Sequence, residues 1–249
     1  MGEGTEAWLT FAMALAFCGV HLFVGRLRFL EVTPRSRWLS FAGGVAVGYV
    51  FLHVLPELSA HVTTFERAIG LDAVAAEGCI YALSLLGLAL YYGIERAIKS
   101  SRKERRGSEA PDSGVFWLHI GATAVLVAII AYLLNHREDA TAIGLALYFG
   151  AMVLHFVTAD FGTRSHHPKL YDGRGRWVLS GATLAGWATG LLVELPELII
   201  GGLFAFVGGG IILLVLKEEL PEERQSRFVP FAAGAGTYAV LVLAERLLV

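Results

Sequence analysis

The stretches "FAGGVAVGYVFLHVLPE", Phe41 to Glu57, and "FVGGGIILLVLKEELPE", Phe206 to Glu222, align without a gap on their phenylalanine, their paired glycines and a closing Leu-Pro-Glu. The first carries no Lys, Arg, Asp or Glu before that triplet and the second none before Lys217, and the triplet occurs a third time in "GLLVELPELII". A run of this length without charge is what crosses bilayer hydrocarbon as a helix, since about 20 residues rising 1.5 Å each span it.

Six more such runs flank these two. The eight are Ala7 to Gly25, Trp38 to Leu58, Ala75 to Ile94, Val115 to Leu134, Ala140 to Ala159, Trp177 to Val193, Leu198 to Leu216 and Phe228 to Ala244. Of the 249 residues 55% are hydrophobic and 17% charged, and the charges gather between the runs rather than along helix faces. Alternation of the kind that marks a membrane barrel is absent. The expectation is an all-α integral membrane protein of eight transmembrane helices forming one domain over residues 1–249.

The acidic start, "MGEGTEAW", lacks the basic segment of a cleavable signal, so the first run is expected to stay as a helix. Lysine and arginine favour cytoplasmic loops. Seventeen of the twenty fall after the odd-numbered runs, leaving Arg67, Arg137 and Arg246 for the other side. Both termini are therefore expected outside. "RAIKSSRKERRGSEAPDSG", residues 96–114, becomes a basic cytoplasmic loop that meets anionic lipid headgroups or simply solvent. A net charge of -2 offers nucleic acid no surface. Cys18 and Cys79 fall at different depths and are expected to be unbonded core residues.

With that orientation the second run points outward and the seventh inward, so the opening alignment relates two inverted copies. Residues 7–95 form the first repeat, 115–161 a central pair of helices and 177–249 the inverted repeat, a 3+2+3 plan. Small-xxx-small spacing at Gly44 and Gly48, and at Gly186 and Gly190, marks close helix packing.

The triplets carry chemistry as well. Pro56 within a helix removes the hydrogen bond to the Leu52 carbonyl, and His53 and Glu57, four apart, share the face beside it. Pro196 is expected to free the Leu192 carbonyl between Glu194 and Glu197. For Pro221 and Glu222 a simple helix end at the headgroups is the better reading. Imidazole, carboxylate and a bare carbonyl together suit a divalent cation. Ionisable groups inside spans mark cavities or pathways. They fall in two sets: His53, Glu57, Glu194 and Glu197 toward the outside, with His61 in the adjoining loop, and His21, His119, His155 and Asp160 toward the inside, followed by His166 and His167.

On "FLHVLPEL" in the second run, the 3+2+3 order, the basic loop after the third run, "LKEELPEE" after the seventh, and histidines on the fourth and fifth, the chain resembles the ZIP family of divalent-metal transporters. That resemblance implies a transport site on the fourth and fifth helices, patterned like H-N-x-x-x-D and H-E-x-x-H-E. "HFVTAD" keeps His155 and Asp160, with Phe156 and Ala159 at the other glutamate and histidine places. "HIGATA" keeps His119, with Ile120 and Ala124 at the asparagine and acid places. A two-metal centre of the family type cannot be built from these residues. A single site of His119, His155 and Asp160 with water can.

The expectation is thus a gradient-driven carrier of a divalent metal in the cell (inner or plasma) membrane. The substrate is zinc most simply, or iron or manganese, and no cofactor is tightly bound. His53, Glu57, Glu194 and Glu197 would collect the ion outside, the three inner ligands would hold it, and His21, His166 and His167 would line its exit. Membrane lipid and the metal are the expected partners, and a homodimer stays open. Two other classes fit less well. A non-transporting ZIP-like regulator or assembly partner would explain the lost ligands. A membrane-embedded zinc hydrolase would need a serine within a span beside the inner histidines or an H-E-x-x-H, and the sequence has neither.

Overall fold

A computed structural model describes residues 3–27, 37–104, 113–136, 142–219 and 227–248, and among these there is no strand. The helices are α1 (Glu3–Phe23), α2 (Arg37–Tyr49), α3 (Leu55–Ile69), α4 (Ala73–Glu104), α5 (Ser113–Leu133), α6 (Ala142–His166), the short α7 (Pro168–Leu170), α8 (Arg176–Leu192), α9 (Glu197–Glu219) and α10 (Phe228–Leu248). Seven helical segments are long and apolar enough to cross a membrane: Glu6–Arg26, Arg37–Ile69, Ala73–Ala97, Gly114–Leu133, Ile143–Ser165, Glu197–Lys217 and Phe228–Leu247. Such a set is compatible with a multi-pass integral membrane protein. The sixth apolar run corresponds to α8, which at 17 residues is shorter than these.

The centres of the runs fall where expected, but several ends do not. Pro56 does not terminate the second run. The chain widens into a π-helical turn over Val50–Val54, where the Leu55 N–H reaches back to the Val50 carbonyl, and α3 continues in line to Ile69. The extra residue in the turn makes room for the proline ring, which would otherwise strike the preceding turn. Gly70, with φ of 67°, finally stops the helix in a left-handed cap whose N–H bonds the Glu66 carbonyl. His61 is therefore a buried helical residue rather than a loop residue.

The segment expected as a basic loop over 96–114 is helical at both ends, with α4 running through Glu104 and α5 starting at Ser113. Residues 105–112 lie outside the described residues, as do Pro221 and Glu222. In the fifth run, α6 extends past Asp160 to His166, so His155 sits at mid-span instead of near the cytoplasmic end.

Helix pairing follows the glycines. A Cβ on Gly44 of α2 would overlap the carbonyl oxygen of Phe231 in α10, and one on Gly234 of α10 would overlap that of Phe41 in α2. Across α4 and α9 the same holds for Gly209 against the Ser84 carbonyl and Gly87 against the Phe206 carbonyl. Gly186 of α8 meets the Ala128 carbonyl of α5 in the same manner. In lipid, where apolar side chains gain little by leaving one apolar surface for another, backbone approach of this kind is a main source of helix association. The centre is filled by Phe17 from α1, Tyr49 and Val54 from the second span, Met152 and Phe156 from α6 and Ile211 from α9. Both cysteines are free thiols.

Candidate functional site

A cleft enters the bundle between the second span, α5, α6 and α9. It encloses about 630 Å³ including its open mouth, and its polar groups are His53, Glu57, His61 and His136 beside the hydroxyls of Tyr49 and Tyr148. The first three stand on one face of a single rod because they are spaced four apart. The His53 ring is stacked on Tyr49 at 5.6 Å, and its Nδ1 lies 3.2 Å from the Tyr238 hydroxyl. Gly201 lets α9 come up against the His61 ring, which packs on Phe204 at 5.3 Å. His136, at the end of α5, places Nε2 3.0 Å from the Gly190 carbonyl and stacks on Tyr132 at 4.5 Å. A carbonyl only accepts, so in the neutral ring Nε2 carries the hydrogen and Nδ1 keeps the lone pair that a cation would use.

Three expectations about this side change. The Leu52 carbonyl released by Pro56 is not bare, because the Arg246 guanidinium donates to it at 3.0 Å from α10. Pro196 lies between helices rather than inside one. α8 ends at Leu192, Val193 is extended, and the Pro196 carbonyl accepts from the N–H groups of Ile199 and Ile200 at the start of α9. No helical hydrogen bond to Leu192 is lost there, since the helix has already ended. Glu194 and Glu197 are exposed and do not line the cleft.

One turn beyond Met152 on α6, Phe156 packs against a closed group. His21 Nδ1 meets Asp160 Oδ2 at 2.6 Å with both side chains out of solvent, and among the described residues His21 Nε2 has no hydrogen-bond partner. Phe156 packs against the His21 ring at 5.1 Å and against the His155 ring at 5.7 Å. His155 is itself buried, at 3% exposure. The Tyr171 hydroxyl, from the π turn after α7, donates to the His21 carbonyl at 3.2 Å. Burial, and after it the Asp160 carboxylate, push this phenol well above its ordinary pKa, so it stays a hydrogen-bond donor.

His119 does not join that group. Its Nε2 lies 4.0 Å from Glu95 of α4, and Glu95 is ion-paired with Lys217 of α9. His167 packs edge-on to Phe116 at 5.6 Å, and the His166 side chain lies outside the described residues. The inner ligands expected from sequence thus divide, with His21, His155 and Asp160 around Phe156, and His119 with Glu95 and Lys217. Among the described residues no three His, Cys, Asp or Glu side chains stand close enough to hold a metal ion together. The donors come in pairs, and a third must be water or arrive by movement.

Sequence reasoning missed His136, Glu95, Lys217 and Arg246 as members of these clusters. His136 carried a usable signal, an imidazole just past the C-terminal end of the fourth run. Glu95, Lys217 and Arg246 sit at run ends, where a charge reads as a solvated terminus. No protein-family model matches the chain, and no curated protein matches it.

Proposed function

We propose that this chain is a multi-pass membrane carrier of a divalent metal cation, zinc being the simplest substrate, with its entry in the cleft of His53, Glu57, His61 and His136. The observation that carries this reading is that cleft, in which three imidazoles and one carboxylate line an opening into a largely apolar bundle. Borderline cations take such donors, whereas sodium or potassium would ask for oxygen alone. Beyond the cleft, Met152 and Phe156 form an apolar barrier, and the His21, Asp160 and His155 group lies behind it. An open vestibule on one side with closed polar groups on the other fits alternating access.

In this reading α8 is an eighth span and the spans form an inverted 3+2+3 repeat with both termini outside. The glycine contacts support it. Under the alignment of Phe41 with Phe206, Gly44 falls on Gly209, and each strikes a carbonyl of its partner helix. Gly234 and Gly87 in turn strike the carbonyls of Phe41 and Phe206. Two helix pairs, α2 with α10 and α9 with α4, are thereby packed through equivalent atoms.

The test is zinc uptake by vesicles reconstituted with purified protein. His53→Ala and Glu57→Gln should each weaken uptake at low external zinc by at least about tenfold, the order seen when a metal's coordination is disturbed. A second reading, a non-transporting membrane protein with a carrier's fold, is favoured by the lack of any three-ligand group among the described residues. Wild-type vesicles that accumulate no zinc would establish it over the carrier.

A further inference from the structure

The matched glycine contacts allow positions to be carried from one half of the bundle to the other. Leu52, in the π turn beside the cleft, falls on Lys217 of α9. Tyr238 falls on Tyr91, because Phe231 and Gly234 of α10 fall on Ser84 and Gly87 of α4. The cleft is built where the π turn meets Tyr238 and the central helices. Its counterpart is therefore the place where the last turns of α9 meet Tyr91 and the central helix α5.

That place is the cluster of Glu95, His119 and Lys217. The Tyr91 hydroxyl donates to the Ala122 carbonyl of α5 at 2.7 Å, fixing α4 against α5. Glu95 stands one turn beyond Tyr91, and His119 one turn before Ala122. The cleft is also lined by imidazoles and a carboxylate; here one of each face each other at 4.0 Å, with only 16% and 13% of the two side chains exposed. The difference is Lys217, whose ammonium is ion-paired to Glu95. At the matching position beside the cleft stands Leu52, an apolar side chain whose carbonyl is taken by Arg246.

We propose that Glu95 and His119 form an inner divalent-cation site, and that Lys217 is a built-in surrogate cation that fills it until a metal ion takes its place. Zinc held about 2.0 to 2.1 Å from each donor bridges a nitrogen and an oxygen up to about 4 Å apart, so the pair closes on an ion with little movement. Waters complete the shell. The displaced ammonium swings toward the headgroup region, where a lysine stem reaches readily. A metal ion bound to Glu95 repels the Lys217 ammonium from a few ångströms away, so metal arrival favours Lys217 release. The Lys217–Glu95 pair also joins α9 to α4, and metal arrival undoes that clasp at the end away from the cleft. The inference takes its ligand class from the carrier reading, but its test does not depend on transport.

The experiment uses Co²⁺, whose ligand-field absorption reports coordination, and Zn²⁺, both on detergent-purified full-length protein. Lys217→Met should take up one Co²⁺ per chain at a several-fold lower free concentration than wild type, because no ammonium has to be displaced. Lys217→Arg should not, because it keeps a cation in place, and Lys217→Met with Glu95→Gln should lose the gain. An equal affinity in wild type and Lys217→Met, or a gain that survives Glu95→Gln, overturns the site. A measurement on wild type guards against a misfolded variant. Zinc should speed modification of Lys217 by an amine-directed reagent, read by mass spectrometry of its peptide, by several-fold over magnesium at equal ionic strength. A rate unchanged by zinc overturns the proposal. Vesicles that take up zinc through His53 and Glu57 while Lys217 stays unresponsive would refute the inner site alone. Vesicles that take up none, with a Co²⁺ gain in Lys217→Met, would refute the carrier reading alone.

Discussion

Arg246 decides what Pro56 can do. A proline in a helix leaves one carbonyl without its intrahelical donor, and the pattern His-x-x-Pro-Glu invites the thought that this oxygen is a ligand. Here it already has a partner in the guanidinium of another helix. Arg246→Met should leave the Leu52 carbonyl without that donor and cost on the order of 1 kcal/mol, the usual worth of such a bond where water still reaches it, read as a lower Tm in detergent. Phe156 makes the opposite case. It stands at a glutamate place of the ZIP-like pattern yet is 2% exposed, and Phe17 lies against it at 5.1 Å. Phe156→Glu should destabilise metal-free protein by roughly 3 kcal/mol or more, since it buries a charge without a partner. Zinc should restore part of the lost Tm, because His155 and Asp160 then gain a companion ligand. A variant as stable as wild type without metal would show that water already reaches this barrier. That His155 and Asp160 matter was legible in their types and spacing. The pairing of Asp160 with His21, 139 positions away, was not, because nothing local encodes it.

The helices were legible where hydrophobicity alone sets them, and much less so at their ends. Apolar runs located all the long segments, since lipid rewards an uninterrupted apolar surface and penalises little else. The helix ends depend on finer devices. A π turn absorbed Pro56, a left-handed glycine cap stopped α3, and α6 continued as helix through the polar residues after Asp160. The glycines were legible as packing residues, but their partners were not, as a carbonyl on another helix leaves no mark in the sequence. Gly44→Ala and Gly209→Ala make a paired test of the repeat. Each forces apart one of two equivalent helix crossings, so each should cost about 1–3 kcal/mol. Gly121→Ala, at a glycine with open space around it, should cost nearly nothing. Thermal unfolding of the three variants measures this, and a large gap between Gly44 and Gly209 would count against equivalence.

For the molecule as a whole, the distribution of lysine and arginine sets a direction that membrane insertion would have to obey. Single cysteines at Ser101 and Asn135 should be labelled from opposite faces of intact cells by an impermeant thiol reagent. Labelling of both from outside would end the orientation argument, and the inverted repeat with it.

The second span has a further consequence, which lies in the bilayer rather than the protein. Its 33 residues from Arg37 to Ile69 would measure about 50 Å as a straight rod, against about 30 Å of hydrocarbon. Such a rod must lean, stand proud of the headgroups or stretch the lipid around it, each at a modest cost for every ångström of mismatch. The π turn divides it near its middle, and His53 of the cleft rides on that joint. Lipid thickness then acts on the angle between the two halves and, through it, on the entrance. Zinc uptake should therefore vary with acyl-chain length in otherwise identical vesicles, with an optimum at one thickness, and Pro56→Ala, which allows the joint to close into regular helix, should flatten that dependence.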